Sequence, residues 1–280
     1  MEEFNIADLK RLYVPASDSH KGQNGKLMVI GGSVLFHAAS LWALDIASRI
    51  VDMVFYSSVD SNNEVVQREK EEFRNGIIVP RQKIEHYIDE ADAVLIGPGL
   101  PRENGVEKGD DDTKLLTESL LLKYPNKKWV VDGGSLQVIR PEILPVSSII
   151  TPHHQEFETL FNLEPSFENA KAMAKKYSII ILLKGEKDYV CSSFDSAQGE
   201  TRCVRVSGGN AGMTKGGTGD VLAGLVAALY CKNDAFLSAS SGSYINKKAG
   251  DYLYKKAGLY FNSSDLVDEI PKVMKNLIIK

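Results

Sequence analysis

The sequence predicts an α/β protein built on a largely parallel central sheet, and three observations carry that prediction. Short apolar or β-branched runs recur along the chain, each followed by a helical pattern. Most of the runs end in glycine or proline turns, and one long glycine run opens an amphipathic helix. The runs are, in order, Leu27 to Ile30, Met53 to Ser57, Ala93 to Ile96, Trp129 to Val131, Ser148 to Ile150 and Ile179 to Leu183. Strands that alternate with helices are joined by crossovers, and crossovers make neighbouring strands parallel. At 280 residues with 43% hydrophobic content, one domain spanning residues 1–280 is the economical reading.

The turns after these runs are unusual: Gly31-Gly32-Ser33, Gly97-Pro98-Gly99, Asp132-Gly133-Gly134, Thr151-Pro152-His153 and Lys184-Gly185. In a parallel sheet they all fall on the edge formed by strand C-terminal ends. Open α/β sheets bind ligands there, because helix N-termini and loop amides converge on it. The segment Arg102 to Asp112 (RENGVEKGDDD) reads as a mobile acidic surface loop rather than a domain linker.

Composition narrows the function. A formal net charge of -4 without a dense Lys/Arg block argues against nucleic acid or an anionic membrane as partner, since both require concentrated positive charge. Cys191, Cys203 and Cys231 form no C-x-x-C spacing, so neither a disulfide framework nor a cysteine zinc site is expected. The acidic opening Glu2-Glu3 lacks a signal segment, and the uncharged stretch Val221 to Cys231 is too short to span a bilayer. A soluble cytoplasmic protein is the expectation.

The strongest local signal is Gly208-Gly209-Asn210-Ala211-Gly212-Met213-Thr214-Lys215-Gly216-Gly217-Thr218-Gly219-Asp220, followed by VLAGLVAALY. Thr218 is expected to cap the helix, leaving its first amides and the backbone of Gly216, Gly217 and Gly219 to receive an anion, with Lys215 adding charge. Asp220 then sits in the first turn as a carboxylate able to accept a hydroxyl proton. A P-loop is excluded, because the Gly25-Lys26 pair is followed by Leu27, and no G-x-G-x-x-G fingerprint is present. His153 and Glu156 lie three apart on one helical face, without the H-E-x-x-H spacing of zinc; polar residues at a helix entry read equally well. Lys184 stands at a strand exit, where a first solvated residue is the ordinary reading. Asp132 could bind a ligand or hold a loop, and His37 and His86 show no partner.

Taken together, HKGQNGKLMVIGGS, IGPGL, VVDGGSL, TPHHQE, LLKGEKD and GGNAGMTKGGTGDVLAG resemble the ADP- or ATP-dependent NAD(P)H-hydrate dehydratases, a branch of the ribokinase-like superfamily. The resemblance runs from about His20 to Cys231. It implies a three-layer α/β/α ribokinase-like fold and dehydration of the S-form of hydrated NADH or NADPH, with ADP or ATP as phosphate donor and Mg²⁺ as cofactor. AMP or ADP and phosphate would be released. Carried over by position, hydrate binding falls on Ala39, Gly99, His153 and Asp220, with Asp220 also the catalytic base. Adenylate binding falls on Lys184, Gly185, Glu186, Lys187 and Asp188, and the phosphate-side glycine on Gly219; Asn210, Lys215, Gly216, Gly217 and Thr218 of the glycine run are expected to bind the nucleotide with it. Glu156 is the metal-side residue, acting through water.

A homo-oligomer such as a tetramer is also implied. Two departures stand out: the frequent Y-T-G-A-P reads Phe36-His37-Ala38-Ala39-Ser40, and the second aspartate of a D-x-D element is Gly134. Many bacterial members of that family carry a fused N-terminal epimerase domain, and the expectation from this length is a dehydratase domain without it. Alternative readings are a small-molecule kinase for a vitamin or sugar alcohol, and a nucleotide-binding regulatory module.

Overall fold

Strands form where apolar and β-branched residues follow one another, and in the computed structural model, which describes residues 1–69, 75–102, 105–193 and 201–279, they gather into one ten-stranded sheet. The strands are β1 (Glu2–Glu3), β2 (Lys26–Ile30), β3 (Met53–Ser57), β4 (Ile77–Ile78), β5 (Ala93–Ile96), β6 (Lys128–Val131), β7 (Ile149–Ile150), β8 (Ile180–Leu183), β9 (Asp188–Ser192) and β10 (Arg202–Val206). Their order is β1-β10-β9-β8-β7-β6-β5-β2-β3-β4. Neighbours from β4 through to β8 are parallel, and β9 is antiparallel to both β8 and β10. All the apolar runs become strands, with ends that move by at most one residue. The sequence reading missed the antiparallel β9 and β10 and the two-residue strands β1 and β4.

The helices are α1 (His37–Ser48), α2 (Asp60–Glu69), α3 (Ile84–Glu90), α4 (Thr113–Lys123), α5 (Gly133–Val138), α6 (His154–Phe161), α7 (Phe167–Tyr177), α8 (Thr218–Lys232), α9 (Ala235–Ala257) and α10 (Ser263–Ile278). Because side chains alternate along a strand, each strand feeds two cores. Leu27, Val29, Ala93 and Leu95 pack with α1, α8, α9 and α10, whereas Met28, Ile30, Val94 and Ile96 pack with α3 to α7. The result is the expected α/β/α sandwich. Strands buried on both faces explain why the runs read as continuous rather than alternating apolar sequence.

Two helices set the geometry of the ligand edge. On α8, Gly224 lies against α1 so closely that a side chain there would put its Cβ 2.7 Å from Cα and O of Ala43. Further along, a Cβ at Gly25 would meet both Val51, just past α1, and Cys231 on α8. Ala43 is thus level with Gly224 and Val51 with Cys231. The two helices therefore run side by side in the same direction, and both N-termini open at the C-terminal edge of the sheet.

Two sequence expectations change. Cys191 and Cys203 are opposed register partners on β9 and β10 and form a disulfide, whereas none was expected. Their separation of 12 residues carries no motif; the pairing becomes visible only when the hairpin register is known. The acidic segment is anchored rather than merely on the surface. Asp110 accepts from the amide of Val34 (2.7 Å), Asp111 pairs with Arg81 (2.6 Å), and Asp112 caps α4 through the amide of Leu115 (2.9 Å). Glu103 and Asn104 of that segment lie outside the described residues. No helix among the described residues is long and apolar enough to cross a membrane.

The α1–α8 contact gives a stability prediction. Gly224→Ala should lower unfolding stability by about 1–3 kcal/mol through overpacking, whereas Gly105→Ala, at a position with nothing within 4 Å, should stay within about 0.5 kcal/mol of the parent. Urea unfolding of the two variants checks this.

Candidate active site

Backbone hydrogen bonds stitch the turns of the ligand edge into one surface. The amide of Gly32 donates to Pro98 O (2.8 Å), that of Asp132 to Ile96 O (3.1 Å), that of Thr151 to Val131 O (3.2 Å) and that of Lys184 to Pro152 O (2.8 Å). Glycine is required where these turns touch. Gly97 has φ 121°, and a Cβ there would fall 1.7 Å from the carbonyl oxygen of Asp132. The strand order reverses between β5 and β2, so the crevice beyond Gly32 and Gly99 is the switch point of the sheet.

At the centre of this edge three carboxylates surround one ammonium group. Lys184 Nζ donates to Asp132 Oδ1 (2.9 Å) and lies 3.8 Å from Glu156 Oε2, and Thr151 Oγ1 also donates to Asp132 Oδ1 (2.7 Å). The same ammonium reaches the first turn of α8, since a Cβ on Gly219 would be 3.4 Å from Lys184 Nζ. Burial disfavours the Lys184 cation, yet Asp132, Glu156 and Asp220 together outweigh burial and hold it charged above its ordinary range. Burial also pushes Glu156 up, with Lys184 opposing and Asp132 assisting.

Asp220 is the group most altered. Burial, reinforced by the negative charges of Asp132 and Glu156 and only partly offset by Lys184, pushes its carboxyl up to about 7. A carboxylate at that value is poised to take and return a proton near neutrality. Because α1 and α8 run in register, Ala39 is level with Asp220. Ala39 in turn borders Gly99, where a Cβ would fall 3.1 Å from that of Ala39. Ala39, Gly99 and Asp220 are thus brought to one crevice.

His153 caps α6 through a capping box: its Nδ1 accepts from the Glu156 amide (3.2 Å), and Glu156 Oε2 accepts from the His153 amide (2.9 Å). Burial, followed by the nearby Lys184 cation, holds the His153 imidazole below its usual value. Among the described residues no direct metal cage is formed. The donor set nevertheless fits a hard cation reached through water, because carboxylate oxygens outnumber the single ammonium between them.

Several assignments change. Thr218 is not the cap of α8: Gly217 occupies that position at φ 93°, and the Thr218 hydroxyl donates to the carbonyls of Met213 (2.7 Å) and Lys215 (3.0 Å). A positive φ favours glycine, and Gly217 also lies tight against the Trp42 ring, so the turn closes without a side-chain cap. Lys215 turns away from the loop, donating to the carbonyls of Leu259 and Phe261. Asn210 caps a short 3-10 helix and donates to Gly250 O (2.9 Å). What remains open is the backbone, and Gly216 has nothing within 4 Å of where a Cβ would lie.

In the segment from Lys184 to Asp188, Gly185, Glu186 and Lys187 are exposed, while Asp188 is buried, accepting from the Gly185 amide (2.9 Å) and Ser243 Oγ (2.7 Å). Lys247, unnoticed in the sequence, pins this loop by donating to the carbonyls of Gly185 (3.0 Å) and Glu186 (3.1 Å). It sits in the middle of α9 and carries no motif. Only the fold, which buries it among the residues of α9 facing the sheet, reveals its role. His37 does have a partner, Asn62.

Comparison with known proteins gives a consistent result. A sequence model of the NAD(P)H-hydrate dehydratases matches residues 27–272. The chain is 38% identical over 275 residues to a bifunctional NAD(P)H-hydrate repair enzyme Nnr of Methanocaldococcus jannaschii, covering 96% of this chain and 52% of the relative. It is 33% identical over 291 residues to an ADP-dependent (S)-NAD(P)H-hydrate dehydratase of Nitrosopumilus maritimus, covering 95% of each. The chain spans about half the length of the bifunctional relatives it matches. In fold it is similar to an ADP/ATP-dependent NAD(P)H-hydrate dehydratase of Bacillus subtilis co-crystallised with ATP and Mg²⁺, at TM-score 0.79 and 21% identity over 99% of this chain and 98% of that one.

The raised Asp220 carboxyl has a consequence for stability. Between the ordinary carboxyl value of 3.8 and about 7 the folded state holds a proton that the unfolded chain has lost, so stability falls as pH rises through that window. Asp220→Asn removes the burden. Thermal unfolding should show the variant more stable than the parent at pH 8 and indistinguishable from it near pH 3.

Proposed function

The chain belongs to the NAD(P)H-hydrate dehydratase family, and from that premise we propose that it returns the S-form of hydrated NADH or NADPH to the reduced cofactor, with ADP or ATP as phosphate donor. The observation that carries this reading is a carboxyl held at about 7, in the first turn of a helix whose glycine entry presents bare backbone. Asp220 takes the proton of the ring hydroxyl as its oxygen attacks the terminal phosphorus, and the bond from that phosphorus to AMP or ADP breaks. Backbone amides from Gly216 to Gly219 receive the charge on the transferring group, while the α8 dipole adds to their field. Proximity of base, hydroxyl and phosphorus supplies most of the rate.

The ring nitrogen then assists departure of phosphate as a neighbouring ring proton leaves, chemistry that resides in the substrate. Phosphate, unlike hydroxide, is a competent leaving group near neutrality. His153 and Gly99 border the hydrate, and the exposed Gly185 to Lys187 turn meets the adenylate, held in shape by Asp188 and Lys247. Lys184 keeps the carboxylate cluster compact and in reach of the phosphates. Mg²⁺ would be held through water by Glu156 and Asp132, and when bound supplies charge neutralisation at the phosphates. A cytoplasmic homo-oligomer acting on diffusible dinucleotides completes the reading.

The decisive assay incubates the purified protein with hydrated NADH and either ADP or ATP, and follows the absorbance of reduced nicotinamide together with inorganic phosphate. Appearance of both is the expected result. A stable phosphate ester as the end product would replace dehydration by simple kinase chemistry. Asp220→Asn should bind nucleotide as the parent does while turnover falls by about 10²- to 10⁴-fold. Near-normal turnover would remove Asp220 from the role of base.

A further inference from the structure

A hydrogen-bond chain beneath the switch crevice fixes the orientation of one side chain that the preceding reading leaves without a role. Ser40 Oγ donates to the carbonyl of His37 (3.3 Å), so its contact with the Tyr56 hydroxyl (2.7 Å) is one in which Tyr56 donates. With its proton used, the Tyr56 oxygen accepts from Asn62 Nδ2 (2.8 Å), and the second hydrogen of that amide goes to Ser58 Oγ (2.8 Å). The orientation of the Asn62 amide follows from this chain. Its Oδ1 therefore faces His37 Nδ1 at 2.8 Å as an acceptor, and Nδ1 must carry the hydrogen. In the neutral form of the ring the lone pair is then on Nε2, which has no hydrogen-bond partner among the described residues.

The place of that lone pair is set by the packing. Ser40, Tyr56, Ser58 and Asn62 are all buried, and His37 is half-buried at the first position of α1. A Cβ on Gly32 would fall 2.1 Å from Asn62 Nδ2, so the amide that holds His37 lies directly beneath the crevice floor. Gly32 and Gly99, at φ 73° and 71°, leave that floor free of side chains, as a flat ring requires. The N-terminus of α1 opens at the same end as that of α8, with Ala39 level with Asp220.

We propose that His37, aligned by the Asn62 amide, binds the substrate through Nε2 and accepts a hydrogen bond from the carboxamide amino group of the reduced nicotinamide ring. This rests on the reading that hydrated nicotinamide dinucleotides are the substrate. The ring hydroxyl is committed to Asp220, and the carboxamide is the other hydrogen-bond donor on the ring. The Ser40 to Asn62 chain makes His37 a preset acceptor rather than a rotating one, so little ordering accompanies binding.

The test compares two ligands on three proteins. NADH carries the carboxamide, and ADP-ribose lacks the nicotinamide ring. His37→Asn keeps an amide where Nδ1 meets Asn62 but loses the outer acceptor, whereas His37→Gln restores an amide oxygen near the position of Nε2. Fluorescence titration should show NADH affinity falling about five- to tenfold in His37→Asn and largely recovered in His37→Gln, with ADP-ribose affinity, read by calorimetry, unchanged in both. Equal losses for the two ligands, or no recovery in His37→Gln, would show His37 to be a structural residue and overturn the proposal. Unchanged NADH affinity in His37→Asn overturns it as well. Parent protein that binds neither ligand overturns the substrate reading, and the proposal with it.

Discussion

Everything at the ligand edge depends on one ammonium group shared among three carboxylates. Lys184 is the cation between Asp132, Glu156 and Asp220, and each acid arrives on a different element: the end of β6, the first turn of α6 and the first turn of α8. Without the cation, three like charges would be gathered in a poorly solvated place, and their repulsion would push those elements apart. With it, the excess negative charge is large enough to lift Asp220 to about 7 but not to disperse the cluster. The same arrangement that crowds negative charge at the edge also raises the Asp220 carboxyl.

That cluster can form because backbone takes the space that side chains would otherwise occupy. Gly97 admits the carbonyl of Asp132, Gly219 admits the Lys184 ammonium, and Gly217 turns the chain into α8 against the Trp42 ring. Gly224 then lets α8 lie directly on α1, which aligns the two helix N-termini. Packing far from the edge therefore decides where Asp220 stands relative to Ala39 and Gly99. The glycines of this run differ in surroundings: Gly216 is open where a Cβ would lie, whereas Gly217 and Gly219 permit a close approach by Trp42 and Lys184.

Much of this was legible in the sequence. Apolar runs buried on both faces mark β2, β3 and β5 to β8 almost to the residue, because no charged side chain interrupts them. Gly99 and His153 are legible as edge residues because each stands a few residues past a strand end, Glu156 because it lies in the helix that follows, and Asp220 because it closes the glycine run at the start of α8. The hairpin of β9 and β10 was missed because Asp188 to Ser192 follows a loop that reads as ligand-binding, and antiparallel register leaves no local mark. The Cys191–Cys203 pairing was lost with it. Thr218 was taken as a cap because threonine favours that position, yet its hydroxyl finds carbonyls in the preceding turn. Lys215 looked like a phosphate ligand on charge alone, and only the path of the α9–α10 connection reveals the carbonyls that occupy it.

The segment from Phe36 to Ser40 shows how a departure from a motif becomes informative. In sequence it was a loss, a tyrosine hydroxyl and a turn proline gone. In the fold, Ser40 accepts from the buried Tyr56 hydroxyl of β3, and His37 takes up Asn62 of α2, so polar groups from three elements replace one lost turn. Such a network is stable only if its members are satisfied. Among the described residues His37 Nε2 has no hydrogen-bond partner. An acceptor left open in the first turn of α1, two residues from the Ala39 that borders Gly99, is what the proposed carboxamide contact would use.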